Sequence, residues 1–207
     1  MNTTLFLARH GETEDSQAGL YYGRSRSPVT AHGQRQAELL ALRLKTIPVA
    51  AVYTSPLERC HYAAVLVARA HGLSPIIIDD LIEIDHGEWE GLTSQQVAAR
   101  FPTSYSLWKL DPAGNSPDGG ESGYAVAGRV VPTAIRLARS NPGQTVVAVS
   151  HNTVNRILLS HFLGIPLTEY RRRILQHPAA LNCIVFHPDG SWHVTLMNDT
   201  SHWRGQI

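Results

Sequence analysis

The sequence predicts an α/β fold, a three-layer αβα sandwich with a mainly parallel central sheet, and three observations predict it. Short apolar runs alternate with longer segments of helical periodicity, the order expected of a parallel sheet covered on both faces. Two of those runs, Leu5-Phe6-Leu7-Ala8 and Val146-Val147-Ala148-Val149, are fully apolar, as strands buried on both faces should be. Both stop at a histidine, the first at Arg9-His10 and the second at Ser150-His151.

Each element has a local reason. Thr4 to Ala8 reads as the first strand, and Thr30-Ala31-His32-Gly33 opens a helix to about Lys45, with Ala37, Leu40, Ala41 and Leu44 at helical spacing. Ala50 to Tyr53 is a second strand. In Thr54-Ser55-Pro56 the serine can cap and the proline can occupy the first turn of a helix reaching about His71. Ile76 to Ile78 is a third strand, and two shorter helical pieces lie between Leu92 and Gly120. Asp118-Gly119-Gly120 is punctuated for tight turns. Ser122 begins a long helix that Asn141-Pro142-Gly143 ends. The Val146 to Val149 strand leads to a helix from about Thr153 to Leu163. Cys183 to His187 and Trp192 to Met197 form a terminal hairpin across Pro188-Asp189-Gly190. No repeat or low-complexity tract interrupts the series.

Composition bounds the function. With 43% hydrophobic and 17% charged residues and a formal net charge of +1, the chain has no signature of disorder, no nucleic-acid footprint and no general attraction to anionic membranes. Any anion preference must be local. The first ten residues carry no basic leader, and no apolar run approaches the roughly 18 residues of a membrane span. A cytoplasmic chain with neither a nucleic-acid nor a membrane partner is therefore expected. At 207 residues, one domain spanning 1–207 is the simpler organisation. Cys60 and Cys183 lie outside any Cys-x-x-Cys pattern, so packed thiols are expected and no zinc site. A homodimer through apolar strand edges or the terminal hairpin is compatible with the pattern.

In open α/β sheets ligands collect at the carboxyl ends of strands, so two strands ending in histidine can place two imidazoles on one rim. Arg9-His10-Gly11 delivers a guanidinium, an imidazole and a flexible turn to that rim. The residues read as an anion site containing a nucleophile. Arg9-His10-Gly11-Glu12-Thr13, Ser55-Pro56-Leu57-Glu58-Arg59, Leu81-Ile82-Glu83 running into Gly87-Glu88-Trp89-Glu90-Gly91, Gly119-Gly120-Glu121-Ser122 and Ser150-His151 resemble, in that order, the motif series of the histidine phosphatase superfamily, also called phosphoglycerate-mutase-like. The resemblance spans nearly the whole chain.

The resemblance implies a metal-independent phosphatase of small phosphomonoesters, using no cofactor. His10 would be the nucleophile, and its attacking nitrogen must be unprotonated, which requires the other ring nitrogen to donate to a fixed acceptor such as a backbone carbonyl. Arg9 and Arg59 would fork onto the phosphate, and His151 would add a donor on another side. Glu83 matches the family's acidic position and would be the general acid, then the base for water. Departures concern specificity. Ser16 stands where an asparagine is common and would reach the phosphate less far, Asn152 replaces a small glycine, and Ala63 replaces a threonine. Tyr22-Gly23-Arg24 lies where family members place a substrate loop, with Arg24 or Arg26 able to meet a second anionic group. His86 would contact a substrate carboxylate.

Two other readings stay open. A cofactor-dependent phosphoglycerate mutase must exclude water from the phosphohistidine and hold a second anion. The short stretch from Leu92 to Gly120, with only Arg100 and Lys109 as basic residues, favours hydrolysis. Glu83-Ile84-Asp85-His86-Gly87 and Asn198-Asp199-Thr200-Ser201-His202 are similar to metal-independent phosphoserine phosphatases and broad-specificity relatives. A non-catalytic phospholigand-binding domain is the third reading, which the loss of a core group would have supported.

Overall fold

A computed structural model describes residues 1–207. Strand β1 (Thr3–Arg9) is followed by the short helix α1 (Glu14–Ala18), then α2 (Ala31–Leu44), β2 (Ala51–Thr54), α3 (Glu58–Arg69) and β3 (Ile76–Ile77). The chain continues through α4 (Ser94–Arg100), α5 (Pro102–Leu110), α6 (Gly123–Arg139), β4 (Thr145–Ser150), α7 (Asn152–Phe162) and α8 (Tyr170–Arg173) to the hairpin β5 (Leu181–Phe186) and β6 (Trp192–Asp199). The six strands form one sheet in the order β3-β2-β4-β1-β5-β6. β1 to β4 are mutually parallel and only the terminal hairpin runs against them. The fold is therefore α/β with a mainly parallel sheet.

Alternation along β1 divides the core. Leu5 and Leu7 face one layer with Val126, Val130 and Leu137 of α6 and Val154, Ile157 and Leu158 of α7. Ala8 faces the other, with Leu40 and Leu44 of α2 and Ala64 and Val67 of α3. Side chains two apart on a strand share a face, so one apolar run serves both layers. A third cluster, Trp89, Val97 and Trp108, packs α4 and α5 over the carboxyl rim.

Register positions the two histidines. Arg9 lies opposite Ser150 across the β1–β4 ladder, so His10 and His151 leave the sheet side by side. The His10 N–H still donates to the Ser150 carbonyl at 3.1 Å. Gly11 makes the next step possible, because a Cβ there would collide with the Gly33 carbonyl at the start of α2.

One local expectation is corrected. Helix α3 starts at Glu58 with Leu57 as its flanking residue, and no side chain caps it. The Ser55 hydroxyl instead accepts from the Leu57 N–H at 3.3 Å and is hydrogen-bonded to His151 at 2.7 Å. It serves the rim rather than the helix. Helix α1 was not foreseen; Thr13 and Ser16 form a reciprocal capping box for it, and five residues are too few to show a periodicity.

Candidate active site

The carboxyl rim gathers His10, Arg9, Arg59, Glu83 and His151, all buried. His10 and His151 have ring centroids 5.3 Å apart and meet edge to face. His10 Nδ1 lies 2.7 Å from the Gly11 carbonyl oxygen. A carbonyl can only accept, so Nδ1 carries the proton and Nε2 keeps its lone pair. Burial, followed by the neighbouring Arg59 and Arg9 guanidiniums, holds the His10 pKa well below 6.5, against the opposing pull of the Gly11 carbonyl. Burial and then Arg59 lower His151 in the same direction. The rim therefore presents two neutral imidazoles beside two cations.

The cations are held by neutral acceptors. Arg9 donates to the Gln176 carbonyl at 2.7 Å and to the Tyr22 hydroxyl at 3.0 Å. Arg59 donates to the carbonyls of Ser25 at 3.1 Å and Gly23 at 2.5 Å, with its guanidinium carbon 5.3 Å from the Tyr22 ring centroid. The Nε atom of each is buried without a partner. Neither arginine belongs to any of the ion pairs of the chain. A buried cation without a counter-ion is costly, and a dianionic ligand removes the cost for both at once.

Glu83 sits on the segment between β3 and α4. Its two carboxylate oxygens accept from the Ile84 N–H at 2.9 Å and the Thr153 N–H at 3.1 Å. Behind it, Arg129 of α6 donates to the carbonyls of Asp80 (2.6 Å), Ile82 (2.6 Å) and Glu83 (3.1 Å). Glu121 pairs with Arg129 at 3.0 Å and accepts from the Asp85 N–H at 3.1 Å. These two residues brace the Glu83 segment from opposite ends. Arg129 carries no sequence signal of its own, being one basic residue in a long helix; Glu121 belongs to the Gly-Gly-Glu-Ser motif, and the bracing accounts for its presence there.

At the rim is a cavity of about 330 Å³ whose lining includes Arg9, Ser16, Tyr22, Glu83, His86 and Arg171, but not His10, His151 or Arg59, the last of which lines a separate, smaller cavity with Arg24 and Arg26. Ser16 faces the cavity, but its hydroxyl donates to the Thr13 carbonyl at 2.8 Å. Burial, then Arg171, lowers the His86 pKa from 6.5 to about 4, so this imidazole is neutral as well. Gly23 is not in the lining; its N–H donates to Glu90 at 3.1 Å and its carbonyl accepts from Arg59. Arg24 turns away to Asp85 (3.3 Å) and Glu121 (3.0 Å). Arg26 reaches Glu58 at 3.5 Å on the surface. Arg171, which belongs to none of the sequence motifs, lines the cavity. No group of three His, Cys, Asp or Glu side chains converges on a metal position, and no helix is long and apolar enough to cross a membrane.

A mainly parallel sheet with paired strand-end histidines and unpaired guanidiniums defines a protein of the phosphoglycerate-mutase-like class. The family model described as Histidine phosphatase superfamily (branch 1) matches residues 5–200, and the chain belongs to that superfamily. The chain is 34% identical over 166 residues to phosphoserine phosphatase 1 of Hydrogenobacter thermophilus, covering 80% of this chain and 79% of that protein. It is 34% identical over 162 residues to the adenosylcobalamin/alpha-ribazole phosphatase of Salmonella typhimurium, covering 78% and 80%. Among solved structures, YhfR of Bacillus stearothermophilus superposes with a TM-score of 0.89 at 31% identity, over 97% of this chain and 98% of that one. Of mycobacterial relatives 38% identical over 201 residues, the chain spans 55% of the length. The chain is thus a histidine phosphatase, a hydrolase of phosphomonoesters.

Proposed function

We propose that the chain hydrolyses small phosphomonoesters, O-phosphoserine among them, through a phosphohistidine on His10. The observation that carries the reading is the pair of buried guanidiniums, Arg9 and Arg59, that lack any carboxylate partner beside a histidine whose Nδ1 proton is fixed on a carbonyl. In the first step His10 Nε2 gives its lone pair to phosphorus while the bond from phosphorus to the alcohol oxygen breaks. Glu83 delivers a proton to that oxygen as it leaves. In the second step the Glu83 carboxylate takes a proton from water, whose oxygen attacks phosphorus, and the P–N electron pair returns to Nε2. Inorganic phosphate is released and His10 is restored.

Phosphoryl transfer asks for positioning and for neutralisation of the equatorial oxygens, and Arg9, Arg59 and His151 are arranged to supply both. The unused O–H donor of Tyr22 and the neutral ring of His86 suit them to the alcohol side. The inclusion of phosphoserine rests on His86, which lines the cavity, and on the relative of that name.

The test is a phosphate-release panel run in chelator on phosphoserine, phosphoglycerates and sugar phosphates, joined to rapid acid quench. An acid-labile, alkali-stable phosphoryl group on the wild-type chain, absent in His10→Ala together with turnover, is expected. Full turnover by His10→Ala overturns the mechanism. Isomerisation of 3-phosphoglycerate outpacing phosphate release would make the chain a mutase.

A further inference from the structure

The substrate cavity does not end at His86. Tyr21, Ser94 and Arg171 line it and also line a second cavity of about 420 Å³ whose walls include Tyr105, Trp108 and Lys109. Arg171 stands at the junction. Its guanidinium carbon lies 4.3 Å from the centroid of the Trp108 ring. Trp108 is itself buried and packed edge to face by Tyr21 and Trp89, so the platform under Arg171 is fixed. A guanidinium laid on an indole face keeps its N–H donors in its own plane, where one carboxylate or phosphate can accept two of them side by side.

The charges around Arg171 are unbalanced. Its neighbours Arg172 and Arg173 are met by Glu169, at 3.2 and 4.0 Å, but Arg171 has no ion pair. Arg156 of α7 has none either, and its Nε is buried without a partner. Burial, then Arg171 and Arg9, lowers the Arg156 pKa to about 10. A guanidinium that lines a cavity and has no acidic partner marks a position where an anion can be received. Glu83 is the only acidic residue in the lining of the first cavity, and the second has none. In a chain of net charge +1 that excess is local.

We infer that Arg171 receives a second anionic group on the leaving alcohol, so that the substrate is a phosphomonoester with a distal carboxylate or phosphate. Arg9 and Arg59 bind the phosphate that is removed, and Arg171 binds the charge that stays with the alcohol. The cavity beyond Tyr21 gives that alcohol room to be larger than serine. The inference rests on the phosphatase reading and adds the residue that selects the ester.

The test compares kcat/KM of wild type, Arg171→Gln and Arg171→Lys on p-nitrophenyl phosphate, 3-phosphoglycerate, a sugar bisphosphate, O-phosphoserine and O-phosphoserine amide. A charge-assisted contact is worth about one to two decades, so Arg171→Gln is expected to lose about 10- to 100-fold on the esters with a second anion. On p-nitrophenyl phosphate, which carries no second anion, the loss is expected to be about tenfold smaller than on those esters. Arg171→Lys should recover part of the loss. The larger loss between 3-phosphoglycerate and the bisphosphate identifies the anion. Equal losses on all esters, or none, overturn the inference.

A measurement that needs no variant guards against misfolding: wild type should prefer O-phosphoserine to its amide, and equal use of the two or a preference for the amide also overturns it. Failure of the wild type to release phosphate from any ester would instead remove the phosphatase reading, and this inference with it.

Discussion

Arg129 donates to the backbone carbonyl of Glu83 at 3.1 Å while the Glu83 side chain is turned the other way, onto the N–H groups of Ile84 and Thr153. The carboxylate is thus located by its own main chain, and the main chain by an arginine on the opposite helix. Replacing Arg129 leaves three carbonyls and Glu121 without their donor. We expect Arg129→Met to lower stability by about 2–4 kcal/mol, read as a urea midpoint. We also expect kcat to fall about 10- to 100-fold with little change in KM, because misplacement of a reacting group by about 1 Å costs on that order. The diagnostic is the Glu83→Gln background: if Arg129 acts through Glu83, adding Arg129→Met there should cost far less activity than it costs alone.

Glu90 holds the Tyr22-Gly23-Arg24 loop by accepting from the N–H groups of Gly23 (3.1 Å), Arg24 (2.7 Å) and Ser25 (2.7 Å), while Arg59 takes the carbonyls of Gly23 and Ser25. One loop is gripped through its donors by an acid and through its acceptors by a base. Burial opposes the Glu90 charge, but the Arg24 and Ser25 donors outweigh it and hold the pKa below 4.5. Glu90→Gln keeps one acceptor oxygen and turns an N–H₂ toward a donor, so a loss of about 1–3 kcal/mol is expected. The linkage sign is that of a depressed acid. Its contribution is complete above pH 4.5 and lost as pH falls through the folded value, so the gap between wild type and Glu90→Gln should close in strongly acid urea titrations.

The parallel sheet, the terminal hairpin and the strand-end histidines were legible because buried strands are apolar runs and Arg-His-Gly is an unusual way to end one. The division of labour among the arginines was not. Arg24 sits in the substrate-loop motif yet neutralises Asp85 and Glu121, whereas Arg171, from a run of three arginines outside every motif, lines the cavity. Sequence gives charge but not the partner that cancels it, and the partners here lie 61 and 97 residues from Arg24. The use of Ser55 on His151 rather than on its helix was hidden for the same reason.

Cys60 borders the site without a chemical role. Its thiol donates to the Ser150 carbonyl at 3.2 Å and lies against His151, and burial pushes its pKa far above 9 despite the pull of Arg59. Thiolate is the reactive form, so Cys60 should be inert in the native chain. The measurement is labelling with a thiol-specific reagent at pH 8 followed by peptide mapping. Modification at Cys60 is expected only after addition of denaturant; native labelling at a rate near that of a free thiol would show that the rim opens.

Histidine burial sets the acid limit of the fold. His86 falls from 6.5 to about 4, and His10 and His151 are lowered as well, so in each case the unfolded chain binds a proton that the folded chain refuses. Stability then rises with pH wherever the unfolded state holds more protons. The contribution of His86 is complete above pH 6.5 and is lost progressively down to about pH 4. The span from 6.5 to about 4 corresponds to about 3 kcal/mol. The urea midpoint of the wild type should fall steadily from pH 7 to pH 4.5. His86→Phe should flatten part of that slope, and a wild-type midpoint independent of pH over this window would mean that the three imidazoles are not held neutral. Vanadate or phosphate should move the other way: an anion that joins Arg9 to Arg59 favours a protonated imidazole beside it, so the slope measured with the ligand bound should be shallower than without it.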